Sequence, residues 1–330
     1  MITVLTGGTG GAKFVDGLRQ IVPQQDLTVI VNTGDDLLWW GLHVCPDLDS
    51  ITYVLADKLS EERGWGVERD TFFCLQNMRQ MGEPAWFQIG DRDLALHVFR
   101  SKLLNEGKTL SEATAEITAR LGIASRILPM SDSRVETRVL TPNGEMGFEE
   151  YFVRRQYKDP VTSVRFAGAL NAAPASGVVD AIASSELVLL APSNPVTSIG
   201  PILAVPGIRD VLRGSEATIA AISPIVGGAA VSGPAGTLLA AQGFEVSIAG
   251  VADYYKEFLD LLVVDLRDAH ASDELREKQK TRGRGSRKVA PNIHCTPTIM
   301  RKKEDRTALA RSVMEACRQC SETQNAAEGA

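Results

Sequence analysis

The 330-residue chain is poor in cysteine and histidine, with five and four, and aromatic residues make up only 6% of it. The cysteines are odd in number and scattered, at Cys45, Cys74, Cys295, Cys317 and Cys320, so they form no disulfide framework and fit reduced thiols. Cys317 and Cys320 share a face of an expected final helix, but no second pair or nearby histidine completes a zinc set. No apolar run reaches the roughly 18 residues of a membrane span, and the opening run is too short for a secretory signal. A cytoplasmic protein is the expectation. The net charge of −6 leaves no basic excess to displace counterions from a phosphate polymer, so neither a nucleic-acid nor a membrane partner is expected. One local exception, Lys278 to Lys288 (KQKTRGRGSRK), reads either as a loop or as a clamp over an anionic ligand. No internal repeat is found.

What the chain does have is glycine, and five of its glycines lie near the start, in MITVLTGGTGGAKFVDGLRQI. Ile2, Val4 and Leu5 read as a buried strand, while Phe14, Leu18 and Ile21 recur at helical spacing. Gly7 to Gly11 therefore form a strand-to-helix turn, with Lys13 on the first turn of the helix. Glycine lets the backbone approach a ligand closely, and the helix start offers free N–H groups and the positive dipole end. The segment is no P-loop, and the GxGxxG dinucleotide fingerprint fails at its last glycine. The expectation is generic phosphate binding by Gly8, Thr9, Gly10 and Lys13; the alternative is a tight turn and nothing more.

The rest of the chain alternates strands and helices. Val29 to Val31 make a second strand, ending at Asn32-Thr33-Gly34-Asp35-Asp36. Helices are expected at about 49–60, 70–81 and 109–121, the last capped by Ser111 or Thr109. Between about 126 and 166 alternation and a Pro142-Asn143-Gly144 turn indicate a β-hairpin insertion, with Phe148 to Tyr157 as the returning strand. Leu187 to Leu190, Ala217 to Ile222 and Val263-Val264 are later strands, Ala308 to Cys320 a closing helix, and about 321–330 a frayed tail. These signals predict an α/β fold, a three-layer α/β/α sandwich with a Rossmann-like, mainly parallel sheet, in a single domain spanning 1–330.

Acidic residues gather at the ends of the early strands: Asp35 and Asp36, Asp47 and Asp49, Asp91 and Asp93. Carboxylates beside a phosphate cradle suggest Mg2+, which takes one or two carboxylates plus phosphate oxygens. Helix N-capping is the competing use of Asp49 and Asp91. His97 lies four residues after Asp93, so both can face one site. Arg92 could hold a phosphate or a planar ring, or make a surface ion pair. Two further loops, from Ala191 through Ser193, Asn194 and Ser198, and from Ser223 through Gly227 and Gly228 to Gly236, offer hydroxyl, amide and backbone donors and read as nucleotide cradles.

The motifs GGTGGAK, NTGDD, CPDLD, GDRDLALH, APSNPVTSIGPIL and SPIVGGAAVSGPA, in this order, closely resemble those of the 2-phospho-L-lactate transferase (CofD) family of coenzyme F-420 biosynthesis. The likeness runs from Met1 to about Asp265, and Lys278 to Lys288 maps onto none of its motifs. It implies a transferase that moves a phospho-three-carbon-acid group (2-phospholactate, phosphoenolpyruvate or 3-phosphoglycerate) from a GDP-linked donor to the ribityl hydroxyl of the deazaflavin Fo, with Mg2+ assistance and release of GMP. On that basis Asp49, with Asp36 and Asp91, would hold Mg2+ and orient the Fo hydroxyl, and Asp49 is the first candidate for general base. Arg92, His97 and Trp86 would line the Fo pocket. Gly8, Thr9, Gly10 and Lys13 would hold the transferred phosphate, while Ser193, Asn194, Ser198, Gly227 and Gly228 would hold the guanine nucleotide. A homodimer is implied by the resemblance alone. Two rivals are a sugar-nucleotide-binding regulator of the gluconeogenesis-factor type and a nucleotide-dependent oxidoreductase. The acidic cluster with Trp39, Trp40 and Trp86 speaks against the first, and the broken glycine fingerprint against the second.

Overall fold

In the computed structural model, which describes residues 1–281 and 291–328, seven parallel strands build one sheet. Across the sheet the order is Asn292–Cys295, Leu261–Val264, Thr218–Ile222, Leu187–Leu190, Ile2–Thr6, Leu27–Val31 and Arg126–Pro129. Ile2–Thr6 lies inside the sheet, with Ile2 opposite Leu27 on one side and Leu187 on the other. The strands LTVIV, LVLL, TIAAI and LLVV are buried from end to end, because helices cover both faces of the sheet.

Alternate side chains serve two cores. Val4, Val29, Leu189, Ala220 and Val263 pack with Phe14, Leu18, Leu48 and Val313 on one face. Leu5, Ile30, Val188, Ala221 and Leu262 pack with Ile182, Ile202, Leu238 and Val251 on the other. This is the expected α/β/α sandwich. The closing helix, Lys303–Glu328, crosses the first helix, Gly8–Leu18, so closely that a Cβ on Gly17 would fall 2.2 Å from the Arg306 carbonyl oxygen. Buried Arg306 locks the crossing by donating to Asp16 (2.7 Å) and Glu61 (2.8 Å).

Several boundaries differ from the sequence reading. Arg126–Pro129 is not part of the insertion; its apolar run pairs with Leu27–Val31 as the edge of the main sheet. The insertion is the antiparallel sheet of Glu136–Thr141, Gly144–Gly147 and Ser163–Ala167. The two-residue turn at Pro142-Asn143 pairs Thr141 with Gly144, so the return strand starts four residues before Phe148. The segment expected as a strand instead winds into a π-helical turn, Glu150–Arg154. The helix expected from Asp49 begins at Pro46, whose fixed φ suits a first helical position. The closing helix continues to Glu328, through most of the segment expected to fray. Of the basic stretch Lys278 to Lys288, the first four residues end the helix Ala269–Thr281, and the remainder lies outside the described residues. No described helix is long and apolar enough to cross a membrane.

Candidate active site

The chain leaves the interior strand Ile2–Thr6 toward one side of the sheet and later returns on its other side at Leu187–Leu190. Loops beyond the carboxyl ends of such strands diverge and leave a crevice. A cavity of about 680 Å3 lies there, lined by Gly8, Thr9, Gly10 and Lys13 from the first loop and by Ser193, Asn194 and Ser198 from the loop after Leu187–Leu190.

The glycines have two structural reasons. The helix starts at Gly8 rather than after Gly11, and Gly8 takes φ +68, where only glycine is unstrained. A Cβ on Gly10 would fall 2.6 Å from the Pro192 carbonyl oxygen, and one on Gly11 would fall 2.0 Å from Thr6 Oγ1. The first loop is thus pressed against the loop after Leu187–Leu190, and Ser193 Oγ fastens the two by donating to the Gly7 carbonyl at 2.7 Å. Asn194 caps its own turn, its Oδ1 accepting from Val196 N at 3.0 Å. Lys13 and the exposed Thr9 remain turned toward the cavity.

Two groups of acids, all buried but for the half-buried Glu149, reach the same cavity. In the first, Asp49 accepts from both terminal nitrogens of Arg100, Nη1 at 3.2 Å and Nη2 in a shorter contact. His97 bridges the group, with Nδ1 3.4 Å from Asp49 and Nε2 3.3 Å from Asp93, and the Tyr53 hydroxyl donates to Asp93 at 2.6 Å. Arg100 is 2% exposed. Burial works against its charge, but Asp49 together with Cys45 and Asp36 more than offsets this and keeps it protonated. Asp49 lies inside the helix Pro46–Leu55, so it does not cap it. Sequence reading missed Arg100 and Tyr53, since nothing local marks them; only the packing of helix Asp91–Asn105 against Pro46–Leu55 brings them together.

The second group is Asp35, Asp47 and Glu149, which lines the cavity; among the described residues none of the three has a cationic partner. Asn32 Nδ2 donates to Asp35 Oδ2 and Asp47 Oδ2, each at 2.9 Å, and Gly8 N donates to Asp47 Oδ1 at 2.6 Å. Asp35 Oδ1 is buried without a well-formed hydrogen bond. Burial, then the charges of Asp47 and Glu149, push Asp35 well above the usual carboxylate range. Burial raises Asp47 to about 6 against the hydrogen bonds from Asn32 and Gly8, and raises Glu149 to about 8 with help from Asp47 and Asp36. Glu149 comes from the insertion, where no sequence motif flags it.

Other expected site residues lie elsewhere. Asp36 and Asp49, expected to share a cation, fall in different clusters: Asp36 with His43 and Cys45, Asp49 with Asp93 and His97. Asp36 accepts from or is paired with His43 Nε2 at 3.2 Å, outside the cavity lining. Asp91 caps the helix Phe73–Gln80, accepting from Phe73 N (3.0 Å) and Cys74 N (2.9 Å), while Asp70 returns the cap to Arg92 N and Asp93 N. Arg92 is exposed, and its guanidinium donates to the Glu68 carbonyl at 3.2 Å. Gly227 and Gly228, at φ +60 and +77, are the two-residue turn of a small hairpin, a geometry that favours glycine at both positions. The cavity wall from that loop is made instead by Ser232, Gly233 and Pro234. Trp86 does line the cavity, packed edge-on against Trp39.

The chain is similar to known proteins over most of its length. The family model described as 2-phospho-L-lactate transferase CofD matches residues 2–311. A 2-phospho-L-lactate transferase of Methanococcoides burtonii is 40% identical over 94% of this chain and 97% of its own. A phosphoenolpyruvate transferase of Streptomyces coelicolor is 45% identical over 83% and 88%. Among solved structures, a upf0052-family protein of Bacillus halodurans superposes with a TM-score of 0.64 at 15% identity, over 95% of this chain and 98% of that one, a likeness of fold alone.

Proposed function

The chain belongs to the 2-phospho-L-lactate transferase (CofD) family and is a transferase, and we propose that it moves a phospho-three-carbon-acid group from a GDP-linked donor to the ribityl hydroxyl of Fo in coenzyme F-420 biosynthesis. In this reaction the acceptor oxygen attacks the phosphorus that carries the acid, the bridging P–O bond breaks, GMP leaves, and the hydroxyl proton passes to a base. Such a step needs two partners held in line and relief of charge on a diphosphate. The observation that carries the reading is the joining, in one cavity, of a helix N-terminus with Lys13, a set of uncompensated carboxylates, and the small polar loop Ser193 to Ser198.

The diphosphate is assigned to Gly8, Thr9, Gly10 and Lys13, and the guanine nucleotide to the side of Ser193, Asn194 and Ser198. Asp49, His97 and Trp86 are assigned to the acceptor side. Because Arg100 holds both oxygens of Asp49, that residue suits orienting the acceptor hydroxyl better than removing its proton.

Mg2+ fits Asp35 and Asp47 better than the expected pair Asp36 and Asp49. Their facing oxygens are tied to one Asn32 amide, Asp35 Oδ1 beside Thr137 lacks a well-formed hydrogen bond, and among the described residues no cation pairs with either acid. The groups around Asp36 and Asp49 already feel the charge of Arg100. Bound there, the ion would offset diphosphate charge. A homodimer and a cytoplasmic location belong to the same proposal.

The test is to incubate the purified protein with Fo, Mg2+ and, separately, the GDP-linked lactate, enolpyruvate and glycerate donors, with products read by mass spectrometry. A new Fo phosphodiester with release of GMP in one tube is the expected result, and it names the acid. Absence of product with all three, from protein that is folded, would contradict the proposal.

A further inference from the structure

The cavity carries two aromatic walls, and they are built differently. In one, half-buried Trp86 and Phe87 line the cavity and meet each other and the buried Trp39 edge to face, at interplanar angles of 74°, 60° and 85°. Such a cluster holds no parallel stack for a further ring to extend, and Trp39 is only 7% exposed. Phe148, Phe152 and Tyr157 instead run in a parallel row, with centroids 5.5 Å and 5.6 Å apart and planes within 13° and 19° of each other. A parallel row ends in an open face, and offset stacking of a further ring continues it. All three side chains line the cavity, yet Phe152 keeps 37% and Tyr157 47% of its surface exposed.

The backbone holds this row at a cost. Gln156 and Tyr157 both take left-handed φ, +53 and +44, which is costly for residues with a Cβ and gathers at ligand clamps. The strained turn is closed by Tyr157 N donating to the Tyr151 carbonyl at 2.9 Å, and the Tyr151 ring below is fully buried. The π-helical turn Glu150–Arg154 that precedes it is a geometry often found at functional sites. Two unfavourable backbone conformations thus keep Tyr157 at the cavity wall, where folding gains little from an exposed ring.

We infer that the row of Phe148, Phe152 and Tyr157 is a binding plate for the planar heteroaromatic ring of a substrate. The inference rests on the transferase reading, in which both substrates, Fo and the guanine nucleotide, carry such a ring. Glu149, next to Phe148 in the chain, lines the same cavity as the plate.

Calorimetric titration of GMP and of Fo, separately, into the wild type, Tyr157→Ala, Phe152→Ala and Tyr157→Phe tests this. Alanine should weaken one of the two ligands by roughly 5- to 150-fold, the range seen when a base loses its aromatic partner. The other ligand should stay within about two-fold of wild type, and Tyr157→Phe, which keeps the ring, should bind as the wild type does. The ligand that weakens is the one whose ring the plate holds. Affinities unchanged for both ligands would overturn the inference, as would equal loss for both that Tyr157→Phe shares. A wild-type protein that binds neither ligand is a different result, and it would overturn the functional reading with this inference.

Discussion

Asp49 and Asp47 stand two residues apart on one helix, both buried and both at the cavity, yet their surroundings are opposite. Asp49 has Arg100 on both oxygens and His97 beside it. Asp47 has an amide, a backbone N–H and two further acids, Asp35 and Glu149. A buried charge is tolerated where it is paired, and where it is unpaired it shifts toward the neutral form. The first arrangement is complete without a ligand. On the proposed reading the second is the one that gains from a cation, so that Asp49 would position and Asp47 would bind.

Breaking the finished arrangement should have the largest effect. Arg100→Met leaves Asp49 buried without its partner, and the expected loss is about 3–5 kcal/mol in chemical denaturation, the cost of breaking a buried pair from one side. Asp47→Asn should do the reverse to the free protein, raising its stability at neutral pH by removing one of three like charges, while transfer falls by at least about a hundred-fold in the product assay. An outcome in which both variants destabilise equally would erase the distinction between the two groups. The smallest effect is expected at Asp91→Ala, which removes a helix cap worth about 1 kcal/mol and leaves turnover near wild type.

That last expectation marks where the sequence was legible. The sandwich, the order of the motifs and the strand-to-helix turn at the cavity follow from local signals: apolar strands, glycine at a strand-to-helix turn, and small polar loops. The roles of individual acids did not, because a carboxylate before a helix looks the same whether it caps its own helix, caps another or faces a ligand. Asp91 turned out to cap the preceding helix, and Asp36 to pair with His43. Gly227 and Gly228 share the composition of a nucleotide loop but serve a hairpin. Arg100 and Glu149 were invisible for the opposite reason. Each acts on residues about 50 to 100 positions away in sequence, and only tertiary packing supplies the partner.

Protonation gives the comparison a direction. Burial raises Asp47 from 3.8 to about 6 and Glu149 from 4.5 to about 8, so the folded state holds these protons more tightly than the unfolded chain. Their contribution to stability is complete below about pH 4 and is lost as pH rises through roughly 6 to 8. A cation bound at Asp35 and Asp47 replaces those protons, so its stabilising effect should grow across the same window. The most direct measurement is therefore the rise in Tm caused by Mg2+ at about pH 5.5 and about pH 8 in the wild type, Asp47→Asn and Asp49→Asn. The account predicts a rise that is larger at the higher pH, absent in Asp47→Asn and present in Asp49→Asn. A rise that survives in Asp47→Asn and disappears in Asp49→Asn would contradict it.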